Sequence, residues 1–364
     1  MQISIAKSEL SAALARVIHA TASRSSVPAL SGILISCKEG IITFFASDLE
    51  TSIKTQVEGL ITEPGTIAVP GKIFSDIVRS LPESAVNLTL EDEQLKIDAQ
   101  QSHFTIRTLN PDDFVRFPEV SESQQITLPS KLVKTMVRKV GRAVSKDETR
   151  AVLTGIYLMV EADEVKMVAT DIYRLALVTK KLETSLDEPF TVLVPGQAFE
   201  EVVKMIDEGP VIISLSQNQI LFSFGQTQFV TRKIEGNYPN FSQLLPKEWV
   251  VQATVAQTEL FEAVKRVSLL AVTNAAVKFS VSVEDQDLTL TSQSLDLGSA
   301  TEHVMIKAEG SDQEIAINYS FLLDGLSVID SEFITIEIQD SMKPGIIRAA
   351  EEDFLYLVMP MRIN

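Results

Sequence analysis

Two aspartates occupy matching places in the chain. Ala46-Ser47-Asp48-Leu49 and Ala169-Thr170-Asp171-Ile172 lie 123 residues apart. Paired carboxylates can act as general acid and base. A carboxylate at a strand end can instead accept hydrogen bonds from the backbone of a turn. Catalytic pairs seldom sit at equivalent positions of separate repeats, so turn carboxylates are the expectation. Other chemistries lack their residues. Cys37 is the only cysteine, and the three histidines (His19, His103, His303) are scattered. Neither an intrachain disulfide nor a zinc site is expected, and no other metal, cofactor or catalytic residue is. Residues 65–72 come nearest to a phosphate-binding loop, but the glycines are one residue too far apart and Ile73 replaces the Ser or Thr.

A second chemistry is electrostatic. The chain of 364 residues is acidic, with a net charge of −17, which argues against a nucleic-acid partner unless a local patch opposes it. One does. Residues 131–150 hold seven basic side chains (Lys131, Lys134, Arg138, Lys139, Arg142, Lys146, Arg150) against Asp147 and Glu148. On a helix the basic residues fall in one sector, and Leu132, Val133, Met136, Val137, Val140, Ala143 and Val144 in the other. A basic stripe on an acidic body suits phosphate contact that is weak, salt-sensitive and blind to sequence.

These residues sit in a repeat. Val69-Pro70-Gly71-Lys72-Ile73-Phe74 leads into an amphipathic helix. Val194-Pro195-Gly196-Gln197-Ala198-Phe199 does so 125 residues later, and Ile317-Asn318-Tyr319-Ser320 a further 123 on, with Gly325 breaking the third apolar stripe. Strand pairs with period-2 alternation precede and follow each helix. Each unit is read as opening with a helix N-capped at Ser8, Ser130 or Thr258. The class is α+β, with strands outnumbering helices, in three similar domains: 1–124, 125–249 and 250–364. With no signal-like start, no apolar run long enough to span a bilayer and a lone cysteine, a reducing cytoplasmic compartment is expected.

The 69–82 stretch, Ala169–Ala176, Gly236-Asn237-Tyr238-Pro239 and the terminal Val358-Met359-Pro360-Met361-Arg362 together resemble the bacterial sliding clamps, the beta subunits of DNA polymerase III, over the whole chain. The resemblance implies the DNA clamp fold, with two chains closing into a six-domain ring around duplex DNA. It implies a non-enzymatic, homodimeric processivity factor in DNA replication. Such a ring tethers the polymerase alpha subunit and docks the clamp loader, other polymerases and repair proteins. The DNA-contacting residues would be Arg24, Lys72, Arg79, Lys131, Lys134, Arg138, Arg142, Lys146 and Arg150. Ala151-Val152 stands where some members carry tyrosines, so a stacking contact is lost or moved.

The family also has a pocket for partner peptides that carry a Gln and end in Leu or Phe. By position it would comprise Leu153, Thr170, Ile172, Tyr173, Arg174, Leu175, Pro239, Leu244, Leu357, Met359, Pro360, Met361 and Arg362, with Pro344 at its rim. Leucine and methionine give an adaptable floor, and Arg174 is expected to hold a polar group at the mouth. Ile172-Tyr173 replaces smaller residues and narrows the groove, and Asn364 extends the end. The dimer interface would use Phe104 and Ile106 on an edge strand with Leu269 and Leu270 after a helix. Two rival readings are a DNA-independent protein scaffold and a carboxylate enzyme using Asp48 or Asp171. The first predicts no loader-dependent retention on circular DNA, and the second an acid/base pH profile or a metal requirement.

Overall fold

The computed structural model describes residues 1–22, 27–120, 124–182, 189–246, 248–272 and 274–362. Among the described residues, six α-helices alternate with antiparallel strands: α1 (Lys7–Val17), α2 (Gly71–Ser80), α3 (Ser130–Gly141), α4 (Gly196–Met205), α5 (Gln257–Val267) and α6 (Tyr319–Leu326). Each repeat opens with a strand rather than a helix: Gln2–Ala6, Gln124–Pro129 and Val251–Ala256. Their buried residues alternate, as with Ile3 and Ile5, or Val251, Ala253 and Val255.

The strand runs straight into the helix, so Ser8 and Thr258 lie inside their helices and Ser130 is the first residue of its own. The N-caps of α1 and α5 are Ala6 and Ala256, which have no capping side chain. A backbone carbonyl does part of that work in all three repeats. Lys7 N–H donates to the Ser84 carbonyl at 3.0 Å, Ser130 N–H to that of Gly209 at 2.9 Å, and Gln257 N–H to that of Glu332 at 2.9 Å. One orphan donor at each helix start thus finds its acceptor just beyond the second helix of the same repeat.

The chain packs as two units, Met1–Val133 with Glu200–Lys233, and Lys134–Phe199 with Ile234–Asn364. In the first, a five-stranded sheet runs in the order Leu60–Glu63, Gln2–Ala6, Ala85–Glu91, Gln94–Ala99, Ser102–Arg107. An eight-stranded sheet contains strands of two repeats, joined where Thr51–Glu58 pairs with Thr227–Arg232 from Thr51↔Thr231 to Thr55↔Thr227. In the second unit, a nine-stranded sheet is joined the same way, with Arg174–Lys181 pairing with Phe354–Val358 from Arg174↔Val358 to Val178↔Phe354. A four-stranded sheet there ends in Gly298–Met305. At each join the fourth strand of one repeat pairs with the last strand of the next.

Helices lay their apolar faces on the sheets. Leu10, Ala13, Leu14 and Val17 of α1 are buried, and so are Leu260, Ala263, Val264 and Val267 of α5. The break in the α6 stripe has a cause. A Cβ on Gly325 would lie 2.4 Å from Cε1 of Tyr356, whose fully buried ring occupies that place. Its hydroxyl donates to the Phe321 carbonyl at 2.8 Å, anchoring the ring to the helix.

Candidate functional site

The candidate groove is built on a tight turn. Asp171 Oδ1 accepts the Tyr173 and Arg174 N–H groups at 3.1 and 3.0 Å. Thr170 Oγ accepts the Ile172 N–H at 3.2 Å and donates to the Arg174 carbonyl at 2.6 Å. The first repeat uses the same device. Asp48 Oδ1 accepts the Glu50 and Thr51 N–H groups at 3.0 and 2.7 Å, and Ser47 Oγ that of Leu49. Both aspartates are turn carboxylates, as the residue pattern indicates. Each turn places a non-glycine residue in the left-handed region, Leu49 at φ +79° and Ile172 at φ +83°. The Ile172 and Leu49 side chains are thereby pushed out toward solvent.

Beneath the second turn lies an apolar floor. Val168, Leu175, Ile346, Leu355 and Leu357 form one buried cluster, with Tyr157, Tyr238, Phe241 and Leu245 packed against it. The Tyr157 and Tyr238 rings stack at 4.9 Å, and burial pushes the Tyr238 hydroxyl well above its ordinary pKa. Leu153 is also buried. Ile172, Tyr173, Pro239, Leu244 and Met359 are exposed, while Pro344, Pro360 and Met361 are half-buried. The tail crosses to another sheet: Met359 N–H donates to the Tyr173 carbonyl and Met361 N–H to that of Ala316, both at 2.8 Å. Arg362 is exposed, and Asn364 lies outside the described residues.

Arg174 departs from expectation. Its side chain is only 11% exposed. Nε donates to Asp171 Oδ2 at 2.9 Å, and Nη1 to Asp324 Oδ2 at 2.5 Å and toward the Tyr356 hydroxyl at 3.5 Å. The guanidinium carbon lies 4.5 Å from the Phe321 ring centroid. Burial works against its charge, but Tyr356, Asp324 and Asp171 outweigh burial, and its pKa is raised. Arg174 is a strut between the turn and α6, with Nε and Nη1 committed, rather than an open donor at the mouth. Phe321 also stacks on exposed Tyr173 at 6.2 Å, so the groove has an aromatic wall. The groove residues expected from the sequence leave out Phe321, Asp324 and Tyr356; Gly325 inside an apolar stripe is the one signal that a large ring approaches α6.

The basic stripe is real but shorter than the count of charges implies. Lys131, Arg138, Arg142, Lys146 and Arg150 are exposed and Lys134 is half-buried. Lys139 is 2% exposed, ion-paired to Glu352 and with Nζ 5.1 Å from the Phe354 ring centroid. On the helical wheel Lys139 sits at the flank, beside Leu132 and Ala143, which explains its burial. Burial is the main cause that pushes its ammonium pKa down to about 8; Lys180 and Arg138 add to this against Asp330 and Asp353. Arg138 is bidentate on Asp330. Arg150 pairs with Asp147 at 4.0 Å and Arg79 with Asp76 at 3.7 Å. Lys72 is exposed, and Arg24 lies outside the described residues.

Three family models tile the chain: DNA polymerase III beta subunit, N-terminal domain, over residues 1–118; central domain, over 127–240; and C-terminal domain, over 242–362. The chain belongs to the DNA polymerase III beta subunit family. It is 30% identical over 377 residues to the beta sliding clamp of Bacillus subtilis, covering 100% of each chain. It is 32% identical over 358 residues to that of Staphylococcus epidermidis, covering 95% of each. The fold matches the crystal structure of the Bacillus subtilis DNA polymerase sliding clamp with a TM-score of 0.95, at 30% identity and 100% coverage of both chains. It also matches the Pseudomonas aeruginosa sliding clamp bound to griselimycin with a TM-score of 0.95, at 26% identity and 100% coverage of both. Beta subunits are non-catalytic, and Asp48 and Asp171 are both occupied within their turns.

Proposed function

We propose that this chain is a sliding clamp. Two copies close head to tail around duplex DNA and tether the replicative polymerase. One observation carries the closure. The fourth strand of repeat one pairs with the last strand of repeat two, and likewise for repeats two and three. Among the described residues, this rule leaves two strands without such a partner. They are the last strand of the first repeat (Ser102–Arg107) and the fourth strand of the third (Gly298–Met305), each at the end of its sheet. Head and tail are therefore complementary, the condition for heterologous closure between copies. Partly exposed Phe104 and half-buried Ile106 lie on the first strand. Leu269, exposed, and Leu270 lie on the short 3-10 turn that packs beside the second. These four give the joint its apolar contacts.

On this reading α3 faces DNA with Lys131, Lys134, Arg138, Arg142, Lys146 and Arg150, aided by Arg24, Lys72 and Arg79. The groove over Leu175 and Leu357 receives a short partner peptide from the polymerase alpha subunit, the clamp loader and repair proteins. The three repeats span 1–124, 125–249 and 250–364, and the compartment is the cytoplasm. No described helix is long and apolar enough to cross a membrane.

Small-angle X-ray scattering across a concentration series tests the closure. The expected result is the mass of a dimer with the pair-distance profile of a hollow ring; a monomer at every concentration refutes it. Deleting residues 359–364 should abolish partner binding while the dimer persists, and undiminished partner affinity would refute the groove assignment.

A further inference from the structure

Two arginines of the opening helices are not free. Arg138 on α3 is bidentate on Asp330, with Nη1 donating to Oδ1 at 3.2 Å and Nη2 to Oδ2. Arg16, in the last turn of α1, donates through Nη2 to Asp207 Oδ2 at 2.6 Å. The two aspartates are repeat equivalents, 123 residues apart. Each lies just beyond the second helix of the following repeat, after α4 and after α6. The third opening helix shows the same pattern with a carboxylate of its own repeat: Arg266 on α5 donates to both oxygens of Glu302, at 2.8 and 3.0 Å. A last-turn arginine closed by a carboxylate thus occurs in all three repeats.

We propose that Asp207 and Asp330 set the strength of the grip on DNA by competing with phosphate for Arg16 and Arg138. This rests on the clamp reading and on both α1 and α3 facing DNA. A bidentate carboxylate uses the same fork of N–H donors that a phosphate needs. Both carboxylates are mostly exposed, so the contest takes place in solvent, where an ion pair contributes little to stability. Arg138 holds the Asp330 carboxyl below its ordinary pKa, which favours the anion that competes with phosphate. Every arginine surrendered to phosphate releases counterions and tightens binding. A ring that must travel along DNA gains from keeping that number small. Asp207 and Asp330 are positioning residues in this scheme: they act on DNA through the arginines and touch no substrate themselves.

The test is equilibrium binding of the full-length protein to a fluorescein-labelled duplex, by anisotropy, across a salt series. Asp330→Asn should tighten binding several-fold at low salt and steepen the slope of log K against log salt by about 0.9 for each arginine released. Asp207→Asn should do the same through Arg16, and Asp330→Glu should stay near the unmodified protein. Glu332→Gln, which removes equal charge two residues away, should leave the slope unchanged. A merely structural role lowers the melting temperature without moving the slope, and that result overturns the proposal. Failure of both asparagine variants to fold overturns it too. If the unmodified protein shows no salt-dependent DNA binding, the clamp reading itself falls. If it binds and the asparagine variants match it, only this inference falls.

Discussion

Replacing Lys139 by methionine probes how a charge survives inside the second unit. The ammonium is 2% exposed and bound to Glu352, which also accepts from the Ser331 hydroxyl at 2.6 Å and the Asp330 N–H at 2.8 Å. Its pKa is lowered from 10.5 to about 8. Between those values the unfolded chain binds more protons than the fold, so stability rises with pH across that window. Integrated from about pH 7.5 to about pH 9.5, the gain is about 2 kcal/mol. Lys139→Met removes the titrating group and with it this gain. Methionine fills similar volume, and Glu352 keeps its other donors, so at neutral pH the variant should lose less than the roughly 3–5 kcal/mol typical of a broken buried pair. Trp249, the only tryptophan, lies in the same unit and reports its unfolding in urea. Equal pH dependence in the two proteins would refute the argument, since it would place the titration elsewhere.

Two further substitutions test the local geometry. Gly325→Ala forces a methyl against the anchored Tyr356 ring and should cost roughly 1–3 kcal/mol; an unchanged melting temperature would show that the ring can move aside. Ile172→Gly relieves a β-branched residue held at φ +83° and should stabilise by roughly 1 kcal/mol, read by thermal unfolding beside Leu49→Gly. A loss of stability at Ile172 would mean that its side-chain packing outweighs the backbone strain.

Much of the fold was legible because it is written three times. Matched stretches such as Ala46–Leu49 and Ala169–Ile172 share one spacing, and the structure gives both the same turn. The opening strands are hard to read from the sequence although Ile3 and Ile5 alternate, because a five-residue strand running into a helix offers little period. Charge alone places Lys139 in the exposed stripe; its partner Glu352 is 213 residues away and invisible to local pattern. Arg174 is similar. Its tie to Asp171 is local, but its ties to Asp324 and Tyr356 belong to another repeat. What the sequence hides are pairs formed only when repeats are brought together.

The joins between repeats have a consequence for how the molecule comes apart. A peptide bond and a ladder of strand hydrogen bonds both hold the first repeat to the second, and the ladder from Thr51↔Thr231 to Thr55↔Thr227 includes the buried contact between the Thr55 and Thr227 hydroxyls at 2.9 Å. A protease that nicks the chain between these repeats cuts only one of the two. The fragments should therefore travel together on a sizing column and part only in denaturant. The second repeat made alone, by contrast, would carry two raw sheet edges, Arg174–Lys181 and Thr227–Arg232, that its neighbours cover in the chain, and would be prone to associate with whatever strand it met.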